Sequence, residues 1–219
     1  QGVISHVTLH TEPALHFHTQ IIGDESQQKM APIGLCGSAY IDILAEGNRT
    51  GLLTPTAKFD DARPGAADHL LKWDDYDQAL RLGLGAGNQP IVVTQRDLAN
   101  LLQAKAAIAA GVLTLLDRCG LTPQDVRTVY LAGGFGTHMS ARNAIACGLL
   151  PGFKPEQVQP VGNTALAGAY LALIDGSLVQ EIERVARSIQ VIELNLDEQF
   201  ESRYIDQLPL PEYPFEGGE

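Results

Sequence analysis

Four β-forming residues, Val129-Tyr130-Leu131-Ala132, run straight into the glycines Gly133 and Gly134, and a third, Gly136, follows Phe135. A helix pattern begins at Ser140. A buried strand that feeds a glycine turn and then a helix lets main chain approach a ligand closely, because glycine has no Cβ in the way. The segment Val161-Gly162-Asn163-Thr164-Ala165-Leu166-Ala167-Gly168-Ala169 repeats the arrangement: a polar glycine turn opens a helix of small residues. Neither segment is a GxxxxGK[ST] loop or a GxGxxG fingerprint, so a nucleotide held here needs another scheme.

The chain of 219 residues can bury one sizeable core. Its net charge of −11 argues against binding a nucleic-acid backbone or an anionic membrane. No apolar run reads as a membrane span. Cys36, Cys119 and Cys147 lie far apart, with no Cys-x-x-Cys pair. That argues against a disulfide framework and a zinc ribbon, and it fits a reducing, cytoplasmic setting.

Period-two alternation over 3–10 and 15–22 predicts a β-hairpin. One face carries Val3, Val7, Leu9, Leu15, Phe17 and Ile21; the other carries His6, His10, His16 and His18. Two or three imidazoles on one sheet face can hold zinc or nickel. Thr8 and Gln20 share that face, which favours a solvated one, and no metal site is assigned. A polar loop covers 23–29, and an apolar helix pattern runs to about Ala45. The Gly-, Pro- and Asp-rich stretch 47–90 reads as irregular, with a short strand at 91–93.

Thr94-Gln95-Arg96-Asp97 resembles a capping box. It opens a helix over 95–118 with a stripe of Leu98, Leu101, Leu102, Ile108, Val112, Leu115 and Leu116, closed by Gly120. Further helices are expected over 140–146, 163–174 and 177–187, and a strand over 191–196. Strands alternating with helices imply an α/β fold. Residues 1–30 form a hairpin and loop within the same domain as 31–208, and 209–219 reads as a mobile tail.

Several blocks together resemble one family. Gly34-Leu35-Cys36-Gly37-Ser38-Ala39-Tyr40-Ile41-Asp42 resembles the GICGSGLID segment of the reductive activators of corrinoid proteins. Thr94 to Asp97, with Gln103-Ala104-Lys105-Ala106-Ala107-Ile108, resembles their ITQKD…QLAKGAI helix. The glycine turns resemble the adenosine motif and second connecting segment of the actin, Hsp70 and sugar-kinase superfamily. Ile192-Glu193-Leu194-Asn195 and the segment from Phe200 to Pro211 resemble the closing segment. The match runs in order from about 33 to 211. Ala39, where glycine is usual, and Thr137-His138 depart from it.

The resemblance implies an RNase H-like, actin-like ATPase lobe: a mixed sheet flanked by helices, with an N-terminal hairpin. It implies ATP or ADP contacts at Gly133, Gly134, Phe135, Gly136, Gly162 and Asn163. Lys105, Gln103, Gly37 and Ser38 are added on the same ground. No residue is assigned a catalytic role. Cys36 lacks a recognisable His–Asp partner and reads as a structural thiol. The family's phosphate motifs, of the type DxGTT and DIGTNGE, are absent from this chain, as is its cysteine cluster. The expectation is therefore a C-terminal piece of a longer protein, inactive alone. Mg²⁺-phosphate chemistry and a 2Fe–2S cluster would lie in the other part. The full protein would be an ATP-dependent electron-transfer activator with a corrinoid protein as partner, and a homodimer stays open. Two other readings remain: a non-catalytic protein-interaction module, and a small-molecule kinase of the same superfamily.

Overall fold

The computed structural model describes residues 2–23, 31–72 and 77–212. Its elements are β1 (Val3–His10), β2 (His16–Ile21), β3 (Gly34–Leu35), α1 (Gly37–Thr50), β4 (Leu70–Lys72), β5 (Gln78–Leu84), β6 (Pro90–Thr94) and α2 (Gln95–Arg118). There follow β7 (Val129–Ala132), α3 (Gly134–Thr137), α4 (Ala141–Ala146), β8 (Val158–Gly162), α5 (Thr164–Ile174), α6 (Ser177–Ser188) and α7 (Phe200–Asp206). The strands form three small sheets: the mixed sheet β2-β1-β3, the antiparallel sheet β4-β5-β6 and the parallel pair β7-β8. Most of the loop at 23–29, the acidic run around Asp74 and Asp75, and the tail beyond 212 lie outside the described residues.

The hairpin forms where the alternation puts it. A bulge between Ile4 and His6 shifts the register, so Ile4 rather than Val3 joins Val7 and Leu9 in the core. The histidine face divides. His10 and His16 stack with ring centres 4.9 Å apart, while His6 turns toward α1, its Nδ1 3.1 Å from Asp42.

Strand β1 has β2 on one edge, but β3 covers the other edge only at Val3 and Ile4. Beyond that point α1 takes the place of a strand. Ser38 donates to the Ser5 carbonyl at 2.7 Å, Asp42 accepts from the Val7 N–H at 3.1 Å, and Glu46 accepts from the Leu9 N–H at 3.0 Å. Arg49 donates to the Leu9 carbonyl at 2.7 Å. Spacings of four, four and three residues put these side chains on one face of a helix. Unpaired strand-edge groups buried under a helix would each cost free energy comparable to a lost hydrogen bond. This polar stripe satisfies them while Ile41, Ile43, Leu44 and Ala45 fill the core.

Helix α2 starts and stops as expected: Thr94 and Asp97 exchange both capping-box bonds, and Gly120 turns left-handed at φ +65°. Its buried face differs from the expected stripe. Leu98, Leu102, Lys105, Ala106, Ala109, Ala110 and Thr114 are buried, while Ile108 and Leu115 stay exposed. Alanines let α7 pack closely, and Arg203 of α7 reaches Thr114 and Asp117 at 3.0 and 2.8 Å. By length and composition α2 is apolar enough to cross a membrane, contrary to the sequence expectation. It packs instead as a core helix, on α7 and β6.

Strands β4 and β5 occupy the stretch read as irregular. The expected strand over 191–196 does not form: it holds only a short 3₁₀ turn, Leu194–Leu196, and Val191 is exposed. The tail expected to be mobile from 209 is pinned as far as Pro211. The Leu210 N–H donates to the Pro55 carbonyl at 2.7 Å, and Asn48 donates to the Pro211 carbonyl at 2.8 Å.

Asp42→Ala strands the Val7 N–H and the Asn143 amide that also donates to it. It should cost about 2–4 kcal/mol in urea unfolding; a loss below about 0.5 kcal/mol would show that the stripe is incidental.

Candidate functional site: the glycine edge of the parallel pair

Strands β7 and β8 run parallel, with Val129 beside Val158 and Ala132 beside Gly162. Both end in glycine turns on the same edge. In open α/β sheets ligands bind outside the carboxyl ends of parallel strands. The Gly133 N–H donates to the Gly162 carbonyl at 2.7 Å, tying the two turns together. Gly133 and Gly162 have φ of +94° and +70°, which L side chains rarely adopt. A Cβ built on Gly133, Gly134 or Gly162 meets nothing within 4 Å. The backbone there faces open space, as a cradle for a ligand must. Gly136 serves packing instead: a Cβ there would come 3.2 Å from that of Leu131.

Asn163 caps α5, its Oδ1 accepting from the Leu166 N–H at 3.0 Å. Phe135, 47% exposed, projects from α3 and covers Gly37 at the start of α1; a Cβ on Gly37 would collide with its ring. So Gly133, Gly134, Phe135, Gly136, Gly162 and Asn163 form one edge, and Gly37 joins it through the ring. His138, just past α3, lines a cleft of about 480 Å³ with Ser5, His6 and Gln20.

Other residues singled out from the sequence lie differently. Ser38 is fully buried, its hydroxyl committed to Ser5. Gln103 is exposed on α2. Lys105 is only 1% exposed, and its Nζ donates to the carbonyls of Gln207 and Pro209 at 2.6 and 2.7 Å. It straps the C-terminal segment to the core. Burial lowers its pKa from 10.5 to about 8, with the nearby Cys147 opposing. Burial pushes the Cys147 thiol up to about 11. Burial also raises the Asp42 carboxyl, outweighing the bonds from Asn143, Val7 and His6 that lower it.

Asp42 is the scaffold residue behind the site that pattern reading passes over. Its Oδ1 accepts from Asn143 of α4 at 2.7 Å, while Ser140, a few residues after the glycine turn, caps that helix through the Asn143 N–H. One carboxylate thus ties the hairpin, α1 and the segment carrying the turn. The sequence signal was the i, i+4, i+8 series of polar residues on an otherwise apolar helix.

A family model described as the C-terminal domain of RACo, the ASKHA domain, matches residues 1–217. The corrinoid activation enzyme RamQ of Eubacterium limosum is 32% identical over 186 residues, covering 81% of this chain and 31% of its own length. A Co(II) methylated amine-specific corrinoid protein reductase of Methanosarcina barkeri is 26% identical over 178 residues, covering 80% of this chain and 29% of its own. Among solved structures, a reductive activator for corrinoid, iron-sulfur protein superposes with a TM-score of 0.87 at 31% identity, over 98% of this chain and 34% of that one. The chain spans about a third of the length of these relatives.

Lys105 supplies a pH test. Between pH 8 and 10.5 the unfolded lysine holds more proton than the folded one, so stability rises with pH across that window. Relative to Lys105→Met, the unsubstituted protein should gain unfolding free energy from pH 7.5 to 10; an unchanged or shrinking difference would contradict the buried strap.

Proposed function

This chain belongs to the family of C-terminal ASKHA domains of RACo, and from that premise we propose that it is the adenosine-binding portion of an ATP-dependent reductive activator of corrinoid proteins. The observation that carries the nucleotide reading is the open glycine edge. Gly133, Gly134 and Gly162 present bare backbone to unfilled space at the ends of two parallel strands. A nucleoside fits such a cradle: main chain approaches the sugar, and the exposed face of Phe135 offers a stacking surface for a base. Asn163 stands at the same edge as a polar group. Ser38 and Lys105 support the scaffold. Gln103, exposed on α2, is a further proposed nucleotide contact.

The same reading puts the Mg²⁺ and phosphate groups, and the 2Fe–2S cluster, in sequence outside these 219 residues. In the full protein ATP binding would drive a conformational change, and the cluster, once reduced by an external one-electron donor, would supply the electron that takes cob(II)alamin to cob(I)alamin. The chain's own part is to hold adenosine and to contribute to docking the corrinoid protein in the cytoplasm. Alone it should turn over no ATP.

Thermal unfolding of the full-length protein with and without ADP tests the reading. Nucleotide at about 100 times Kd should add about 2.7 kcal/mol, whereas a pure interaction module would gain nothing. Gly134→Ala sharpens it. Gly134 has neither a positive φ nor a close neighbour, so stability should change by less than about 0.5 kcal/mol. Affinity for ADP should fall at least about tenfold, because the new methyl group fills the cradle. Unchanged affinity would remove the nucleotide from this edge.

A further inference from the structure

The β1–β2 hairpin is anchored on its inner side. Leu15 is buried, His69 Nε2 donates to the Leu15 carbonyl at 2.8 Å, and the His69 ring meets Phe17 edge to face at 4.9 Å. Phe17 pairs with Leu9, and His16 with His10. These contacts therefore fix the register of the two strands near the tip. On the outer side the same register sets His10 and His16, both exposed, directly opposite each other. Opposed positions bring Cβ atoms to about 4.5–5.5 Å, and here the rings lie 4.9 Å apart with their planes 15° from parallel. Stacking does not account for one further contact. His16 Nδ1 donates to the Ala14 carbonyl at 2.9 Å. A carbonyl only accepts, so in the neutral ring the proton sits on Nδ1 and the lone pair on Nε2. Metal-binding histidines are oriented in this way, through a hydrogen bond from the other ring nitrogen to a carbonyl or carboxylate.

We propose that His10 and His16 form an exchangeable site for a borderline divalent cation of the Ni²⁺, Zn²⁺ or Cu²⁺ class, which clips β1 to β2 near the hairpin tip. Alternation in the sequence favours a solvated face; the stacked pair and the fixed His16 ring are what the structure adds. A shared ion needs each nitrogen about 2.0–2.1 Å away. The terminal torsion of histidine has a broad potential, so modest ring rotations supply that approach. Imidazole nitrogens select these ions over Mg²⁺, Ca²⁺ and Mn²⁺, which take oxygen ligands. The site is thus chemically separate from any Mg²⁺ held with nucleotide phosphates. Among the described residues no group of three His, Cys, Asp or Glu is placed to hold a metal. Water therefore completes the shell, and the ion exchanges with solvent, unlike zinc in a closed four-ligand site. The net charge of −11 draws cations toward the surface.

Calorimetric titration of the full-length protein, prepared without a histidine tag, with NiCl₂ in excess Mg²⁺ tests the site. Both side chains are exposed, so His10→Ala and His16→Ala should fold normally. The unsubstituted protein should bind Ni²⁺ saturably. Each substitution should weaken that binding at least about 30-fold, because the second imidazole no longer acts at the effective concentration of a chelate. Saturating Ni²⁺ should also slow amide hydrogen exchange over 3–21 at least about threefold, since binding to the closed hairpin opposes its opening, and should leave the exchange of His16→Ala unchanged. A Ni²⁺ site elsewhere in the polypeptide would survive both substitutions, so affinity that they leave unchanged overturns the proposal. Loss in only one of the two variants would mean a single imidazole and would overturn it too, as would the absence of saturable binding. None of these outcomes depends on whether ADP binds at the glycine edge.

Discussion

The lobe depends on a helix standing where a strand would stand. Among the described residues strand β1 has no strand partner on one edge beyond Ile4, and α1 closes that edge with side chains rather than main chain. The arrangement requires a helix with two faces of different character. Ile41, Ile43 and Leu44 enter the core, while Ser38, Asp42, Glu46 and Arg49 reach the strand. Because Asp42 also holds Asn143 of α4, the same contact sets the position of the segment leaving the glycine turn. A buried carboxylate is costly unless its oxygens are satisfied, and here three donors surround it. Hairpin, helix and site therefore share one polar joint.

At the other end of the core, Lys105 plays the corresponding part for the C-terminal strap. Its ammonium satisfies the carbonyls of Gln207 and Pro209, and Leu210 beside them is buried against the lobe. The two polar joints lie on different helices and fix different segments. What they leave unsupported is the stretch 164–188: α5 and α6 have no buried residue, although α5 starts at the glycine edge.

Local signals were legible in the sequence wherever a single residue type sets the local structure. Thr94 with Asp97 marked the start of α2, Gly120 its end, and Ser140 and Asn163 capped α4 and α5. The glycine turns pointed to the candidate edge because glycines directly after a strand let main chain approach a ligand closely. Signals that depend on neighbours were hidden. Strand β5 carries Leu80, Leu82 and Leu84 in period two, but the Gly- and Asp-rich surroundings masked them. Pro160 disguised β8, which is tolerated as a strand because among the described residues it pairs only with β7. Residues 191–196 have strand composition but no described strand to pair with. The buried face of α2 was misjudged because α7 selects small residues there, a fact of tertiary packing rather than of periodicity. The roles of Ser38 and Lys105 were hidden for the same reason: each partner lies more than 30 residues away in the chain.

The central claim is that the edge formed by Gly133, Gly134, Phe135 and Gly136 with Gly162 and Asn163 holds adenosine. Photolabelling of the full-length protein with azido-adenine ATP, followed by peptide mapping, tests it most directly. The account predicts saturable label within 133–137 or 162–166, competed away by ADP. Label confined to other segments, or none that saturates, would contradict it.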